Sequence, residues 1–87
     1  MRRIYRNVLK HQFHIRLVHI RNVKGITQSE MAERLSMDER SYIDLDHGKA
    51  CCSAVTLALF LVYVCEYVHE FLEELRHAFE TAFNQAA

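Results

Sequence analysis

The length of 87 residues allows one hydrophobic core and excludes a second. The composition, 51% hydrophobic and 25% charged, excludes a disordered chain, and two glycines without any proline argue against the tight turns of sandwiches and barrels. The net charge of zero conceals an asymmetry, because residues 1–25 carry seven basic residues and no acid, whereas residues 26–87 carry four basic residues and eleven acids. We therefore expect an all-α domain whose basic first segment either binds a polyanion such as nucleic acid or complements the acidic remainder.

The first predicted helix ends at Gly25, which suits a helix end because glycine tolerates a positive φ. No helix breaker occurs in residues 4–24. Apolar residues recur there at helical spacing, at Phe13, Leu17 and Ile20. We expect the helix over residues 11–24, with residues 1–10 as either a basic N-terminal arm or an extension of the same helix.

Two short helices are predicted next, and each begins at a strong N-cap. Thr27, with Glu30 three residues later, forms a capping box for a helix that ends near Leu35. Asp38 is the N-cap of the following helix, which is expected over residues 39–46. The inner faces of the two helices are apolar, at Met31, Ala32, Leu35, Tyr42 and Leu45.

A nearly continuous apolar run at residues 54–65 predicts a fourth helix that begins at Ser53 or Cys52. The run is shorter than the roughly 20 residues that a membrane span requires. Because a small domain can cover only one face of such a helix, we expect a second copy of the chain on the other face. A fifth, amphipathic helix is predicted over residues 67–84, and its apolar stripe packs in the core or, as a second interpretation, forms an oligomer interface. The stripe consists of Val68, Phe71, Leu72, Leu75, Phe79 and Phe83.

The remaining reactive side chains form no recognisable catalytic or metal site. An odd number of cysteines without a secretory segment is typical of a reducing compartment, so we expect a cytoplasmic protein. The cysteines are expected to pack as small apolar side chains, at Cys51, Cys52 and Cys65. His11 and His14 could chelate together, but no Cys/His pair follows at zinc-finger spacing. We expect no enzymatic activity, cofactor, structural metal, small-molecule substrate or membrane association.

The most specific feature is the order of residues between positions 26 and 49. The string ITQSEMAERLSM at residues 26–37 is followed by LDHGK at residues 45–49. Both strings resemble the λ-repressor-like (Xre/Cro) family of helix-turn-helix DNA-binding proteins, whose pattern is apolar-Thr-Gln-x-x-Leu-Ala-x-x-Leu-Gly-Val and then Ile-Glu-x-Gly-Lys. Ser36 stands where the family has its turn glycine. Upstream, Ile20-Arg21 stands where the family has Leu-Arg.

The resemblance covers about residues 13–65 and implies a five-helix λ-repressor-like helix-turn-helix domain with an extended C-terminal helix. The helix-turn-helix core would occupy residues 11–65, with the motif itself at residues 27–46. The amphipathic segment at residues 66–87 would then be available for dimerisation. The resemblance also implies a structural ion pair between Arg21 and Asp46, in which Asp replaces the family's longer Glu, so we expect a looser contact.

The resemblance further implies that the third helix enters the major groove of double-stranded DNA. The residues implied in DNA binding are Gln28, Glu39, Arg40, Ser41, Asp44 and Lys49. Arg40 can pair with guanine and Glu39 with cytosine, whereas Gln28 would contact phosphate or an adjacent base and Lys49 would face phosphate. The basic residues 2–10 would add contacts to the backbone or the minor groove.

The acidity of the third helix leaves two functions open, because residues 38–46 contain four acids and Arg40 as the one base. Carboxylates in the groove repel phosphate, which normally contributes much of the affinity for DNA. The first hypothesis is a sequence-specific transcription regulator that binds two half-sites as a homodimer. The alternative is a protein-interaction module, antitoxin- or anti-repressor-like, that uses the acidic helix or the apolar surface of the last two helices.

Overall fold

The computed structural model describes residues 1–86, and these residues form five α-helices and no strand. The expected all-α fold is thereby confirmed. Ala87, the last residue of the predicted C-terminal segment, lies outside the described residues. The helices are, in chain order, α1 (Arg2–Lys24), α2 (Gln28–Arg34), α3 (Glu39–Asp46), α4 (Ala54–Leu59), which a π-helical turn (Phe60–Val64) continues, and α5 (Val68–Ala86).

Helix α1 is continuous from Arg2, so the first ten residues extend the helix rather than form a loose arm. At 1.5 Å per residue it is about 34 Å long, close to the 40 Å longest dimension of the molecule. The helix stops at Gly25, where φ is 66° and the backbone N–H donates to the carbonyl of Arg21. Helix α1 packs against both α3 and α5.

The predicted N-caps are present with their expected hydrogen bonds. The Thr27 hydroxyl oxygen accepts from the backbone N–H of Glu30 at 3.1 Å, and the hydroxyl donates to the Glu30 carboxylate at 3.1 Å. The Asp38 carboxylate accepts from the backbone N–H of Ser41 at 2.9 Å. Ser53 caps α4 in the same way. These bonds satisfy N–H groups that the first turn of a helix otherwise leaves without a partner.

Three aromatic rings form the centre of the core and join α1, the π-helical turn and α5. The ring centroids of Phe13 and Phe60 are 4.8 Å apart, and those of Phe60 and Phe71 are 5.4 Å apart, both with edge-to-face geometry. Such pairs are favoured by the quadrupoles of the rings. The predicted inner residues of α2 and α3 and the C-cap of α2 all belong to the same buried cluster: Met31, Ala32, Leu35, Tyr42 and Leu45.

The apolar run that contains α4 has one buried and one exposed side. Phe60 and Val64 are buried, whereas Val55, Val62 and Tyr63 are 68, 70 and 73% exposed. The expectation that this small domain covers only one side of the run is therefore confirmed. The exposed side, defined by Val55, Val62 and Tyr63, is called the outer α4 face below.

The apolar stripe of α5 is only partly buried. Phe71 and Leu75 belong to the core, whereas Leu72 and Phe83 are 44 and 48% exposed. The C-terminal end of the helix packs on the beginning of α1 through Tyr5 and Phe79, whose rings meet edge to face at 5.3 Å. Core packing therefore explains most of the stripe, and two of its side chains remain available for other contacts.

The turn between α2 and α3 places a serine in a left-handed conformation. Ser36 has φ = 54°, although residues with a Cβ disfavour this region. The conformation allows the backbone N–H of Met37 to donate to the carbonyl of Ala32 at 3.0 Å, which closes the end of α2. The serine thus adopts the left-handed conformation that favours glycine.

Replacing Ser36 with glycine should therefore stabilise the protein. We expect Ser36→Gly to raise the free energy of unfolding by about 0.5–1 kcal/mol, because glycine removes the steric penalty but adds some entropy to the unfolded chain. Ser36→Ala is the matched control, since it keeps the Cβ and should leave stability nearly unchanged. Urea denaturation of the three proteins measures the difference, and a glycine variant no more stable than the alanine variant would contradict the prediction.

Candidate functional site

A buried carboxylate at the end of α3 joins the first three helices. Asp46 is only 4% exposed. Arg21 of α1 approaches it with two parallel hydrogen bonds, in which Nε donates to Oδ1 at 2.7 Å and Nη2 donates to Oδ2 at 3.1 Å. This bidentate arrangement combines charge with defined geometry. The two residues that the family resemblance pairs are thus in contact, and the contact is not loosened by the shorter aspartate.

Two further side chains complete the shell around Asp46. The Gln28 amide nitrogen donates to Oδ2 at 3.1 Å, and the Tyr42 hydroxyl donates to Oδ1 at 2.9 Å. Each carboxylate oxygen therefore accepts two hydrogen bonds, which offsets the loss of hydration on burial. Arg21 also donates through Nη1 to the carbonyl of Ile26 at 3.3 Å, in the connection between α1 and α2. Together these groups form the Asp46 network.

The hydrogen bonds determine the protonation states in the Asp46 network. Burial alone would raise the pKa of Asp46, but hydrogen bonds from Arg21, Gln28 and Tyr42 outweigh burial and hold this pKa below its usual range. Burial, together with the bond to Asp46, raises the pKa of Tyr42. At neutral pH the network therefore contains a carboxylate, a guanidinium and an un-ionised phenol.

A histidine of α1 adds a contact that the sequence analysis missed. His14 Nδ1 lies 2.6 Å from the main-chain oxygen of Asp46. Its ring also covers Gly48, where an added Cβ would lie 3.1 Å from the ring. His14 precedes Arg21 by seven residues, which is two helical turns, so both lie on the same face of α1. That spacing could have predicted the contact, because a residue on the same face as Arg21 points towards α3.

Most residues that the resemblance assigns to DNA contact share one exposed region. Exposed on α3 and just after it are Glu39, Arg40, Ser41, Asp44 and Lys49. Ser41 is also part of the cap of α3, because its hydroxyl donates to Asp38 at 2.8 Å. Gln28 differs from the others, since it is half-buried and its amide binds Asp46. Gln28 is therefore a structural contact between α2 and α3, and only the rest of its amide is available to a ligand.

The basic residues of α1 divide into two groups. In the C-terminal half, Arg16 binds Glu70 and Glu74 of α5, Arg21 binds Asp46, and Lys24 binds the Glu66 carboxylate. Among residues 1–86, no carboxylate lies within 4.0 Å of the basic groups in the N-terminal half, which are Arg2, Arg3, Arg6 and Lys10. The interpretation that the basic segment complements the acidic remainder therefore holds for the C-terminal half of the helix.

The cysteines and histidines do not gather into a reactive cluster within the described chain. Cys65 is buried, Cys51 and Cys52 are half-buried, and burial raises the pKa of Cys52 to about 11. The His11 and His14 rings are 6.3 Å apart. Residues 1–86 contain no group of three or more histidine, cysteine, aspartate or glutamate side chains placed to hold a metal ion. No helix in this part of the chain has both the length and the apolar character that a membrane crossing requires.

Comparison of the chain with protein-family models, with curated proteins and with solved structures found no match.

Removing the charge of Asp46 should destabilise the protein strongly. We expect Asp46→Asn to lower the free energy of unfolding by about 2–4 kcal/mol, because Arg21 would lose its charged partner in a largely buried position. Arg76→Gln is the control, because it breaks the exposed Arg76–Glu80 pair of α5 and should change stability by less than about 0.5 kcal/mol. Chemical denaturation at neutral pH compares the two variants, and similar effects would argue against the structural role of Asp46.

Comparing the wild type with Asp46→Asn at different pH values should reveal the protonation of Asp46. Because the folded protein holds the pKa of Asp46 below its ordinary value of 3.8, its stabilising effect is present above that value and is lost as pH falls through the folded pKa. The stability difference between wild type and Asp46→Asn should thus be constant from pH 7 to about pH 5 and shrink below about pH 4. Thermal denaturation across this range tests it, and a difference that widens in acid would contradict it.

Proposed function

We propose that the chain is a sequence-specific, DNA-binding transcription regulator of the λ-repressor-like (Xre/Cro) type, with α3 in the major groove. The observation that carries the proposal is the Asp46 network, which ties α2 and α3 to each other and to α1. The opposite side of α3 remains exposed, at Glu39, Arg40, Ser41 and Asp44. That combination is what a recognition helix requires, because it has to be held rigidly while its outward side chains reach base edges.

The dimensions of the two helices support this role. Helices α2 and α3 contain seven and eight residues, and helices this short are not stable in isolation. Their caps, the buried Ala32 between them and the four-residue connection hold them together as one unit. Two such helices joined by a short turn constitute the helix-turn-helix arrangement.

The side chains offered by α3 are able to read bases. Arg40 can donate two hydrogen bonds to the O6 and N7 atoms of guanine, and Glu39 can accept from the N4 amine of cytosine. Asp44 lies on the same exposed surface. Because carboxylates repel phosphate, the attraction to the DNA backbone has to come from outside the helix, beginning with Lys49, which follows it.

A homodimer fits this function, since paired recognition helices read two half-sites about one turn of DNA apart. The outer α4 face supports a symmetric contact. No charged residue occurs between Lys49 and Glu66, so two copies can bring this face together without electrostatic repulsion. Val55, Val62 and Tyr63 would then become buried in the interface.

A second candidate function is a protein-interaction module, antitoxin- or anti-repressor-like. The observations that favour it are the two exposed carboxylates on α3, Glu39 and Asp44, and the exposed apolar side chains of the outer α4 face. Such a surface suits a partner protein with basic and apolar side chains. In this case the Asp46 network would present α3 to a protein rather than to a groove of DNA.

Selection of bound duplexes from a random pool, followed by fluorescence anisotropy on the selected site, tests DNA binding. The wild type should bind with an affinity that falls as salt rises. Arg40→Ala should reduce discrimination at one base pair by about 1–3 kcal/mol, because the bidentate contact is lost. Lys49→Ala should weaken binding to all sequences alike, since it removes a phosphate contact.

Arg76→Ala is the charge-matched control, because it removes one positive charge from α5, away from α3. It should bind like the wild type. Two chains per duplex in sedimentation of the complex support the homodimer, and a single chain contradicts it. No affinity for any duplex at low salt would contradict DNA binding and favour the protein-interaction module.

A further inference from the structure

The N-terminal half of α1 concentrates positive charge that the described chain does not neutralise. Its four basic residues have no carboxylate within 4.0 Å among residues 1–86, whereas all three in the C-terminal half do. The chain contains as many acids as bases, so a shortage of acids does not explain this. Two acidic residues of α5 pair with the other half of α1, where Arg16 binds both Glu70 and Glu74.

The first turn of α1 is also unfavourable in its own electrostatics. It contains Arg2 and Arg3 and no acid, and Met1 offers no side-chain cap. The start of a helix carries a partial positive charge and N–H groups without partners, so basic residues are disfavoured there. A bound anion would relieve the repulsion between these charges.

The position of this charge relates it to α3. The Cys51 sulfur lies 3.8 Å from the carbonyl oxygen of Arg6, so the start of α1 touches the segment that follows α3. Lys49 is only two residues before Cys51, a span of at most about 7 Å. Further along α1, His14 contacts the end of α3. The basic half of α1 therefore lies next to Lys49, which the proposed function places against phosphate.

The side chains there form an open cleft of about 760 Å³. Three of the residues that line it are Arg2, Arg3 and Arg6, and it is bounded by Cys51 on one side and by Phe79 of α5 on the other. Guanidinium groups bind phosphate oxygens through paired hydrogen bonds, which makes arginine well suited to phosphodiesters. Among residues 1–86, no side-chain carboxylate lines the cleft to oppose an anion.

We propose that the N-terminal half of α1 is a clamp for the DNA backbone, in which Arg3 and Arg6 bind phosphodiester groups beside the site that α3 contacts. The inference rests on the proposed function and deepens it. The clamp provides the sequence-independent attraction that the acidic α3 lacks, whereas α3 provides base discrimination. Affinity and specificity thus arise from different parts of the chain.

Two charge-matched double variants of the full chain test the clamp. Arg3→Gln/Arg6→Gln removes two charges from the cleft, and Lys24→Gln/Arg76→Gln removes two charges elsewhere. Binding of the selected duplex and of a scrambled duplex is measured by anisotropy at several salt concentrations. The first variant should weaken binding to both duplexes by at least roughly tenfold and reduce the slope of log affinity against log salt by about 2. The control should keep the wild-type slope.

Several outcomes would overturn the clamp, and they separate it from the proposed function. No duplex binding by the wild type overturns both. Duplex binding with an unchanged slope in Arg3→Gln/Arg6→Gln overturns only the clamp, as does an altered base preference, which would indicate base reading. Arg3→Lys/Arg6→Lys keeps the charge and should retain the wild-type slope. Thermal denaturation of Arg3→Gln/Arg6→Gln shows whether that variant is folded, and lost binding by the lysine variant at wild-type stability would also overturn a clamp based on charge. Tighter binding to anionic phospholipid vesicles than to duplex would assign the cleft to a membrane surface instead.

Discussion

The carboxylate of Asp46 is the group on which the arrangement of the first three helices depends. It is buried, charged and held by donors from three places: Arg21 on α1, Gln28 on α2 and Tyr42 on α3 itself. A buried charge without its hydrogen bonds is strongly unfavourable. Displacement of any one helix would remove a hydrogen bond from the Asp46 carboxylate and is therefore disfavoured. Two helices of seven and eight residues, too short to be stable alone, thereby acquire a defined orientation. The exposed side of α3 follows from this constraint, because the opposite side is occupied by the network.

Charge is distributed unevenly along α1. Acids of α5 and of the segment before it neutralise the later part of α1 and help to join the two longest helices, which also share the Tyr5–Phe79 contact. The beginning of α1 lies beyond these acids and keeps its charge. A chain whose net charge is zero therefore carries a localised basic surface, and net charge alone conceals it. In the proposed function this surface attracts the duplex. The carboxylates of α3 repel phosphate, so α3 disfavours DNA sequences whose bases do not offset that repulsion with hydrogen bonds.

In the apolar run after α3, the sequence pattern does not predict which side is buried. Nearly every residue between positions 54 and 65 is apolar, so no periodicity indicates which side is buried. The π-helical turn at its end places Phe60 between Phe13 and Phe71 and directs Val62 and Tyr63 outward. That choice depends on the space between α1 and α5, which no local pattern specifies. In contrast, the stripe of α5 could be predicted, because its polar and apolar residues alternate at helical spacing.

The sequence by itself determined the helical class, the short helices α2 and α3 and their caps, because each cap bond joins residues three positions apart and depends on local side-chain chemistry. It also suggested the Arg21–Asp46 pair, although only through a family resemblance. Only the tertiary structure decided that Gln28 and His14 join that pair, that Ser36 is left-handed, and which basic residues of α1 pair with acids. The contacts of Gln28, of His14 and of the paired basic residues join residues between 18 and 58 positions apart. They depend on how α1, α3 and α5 pack, and packing is a property of the whole chain rather than of any segment.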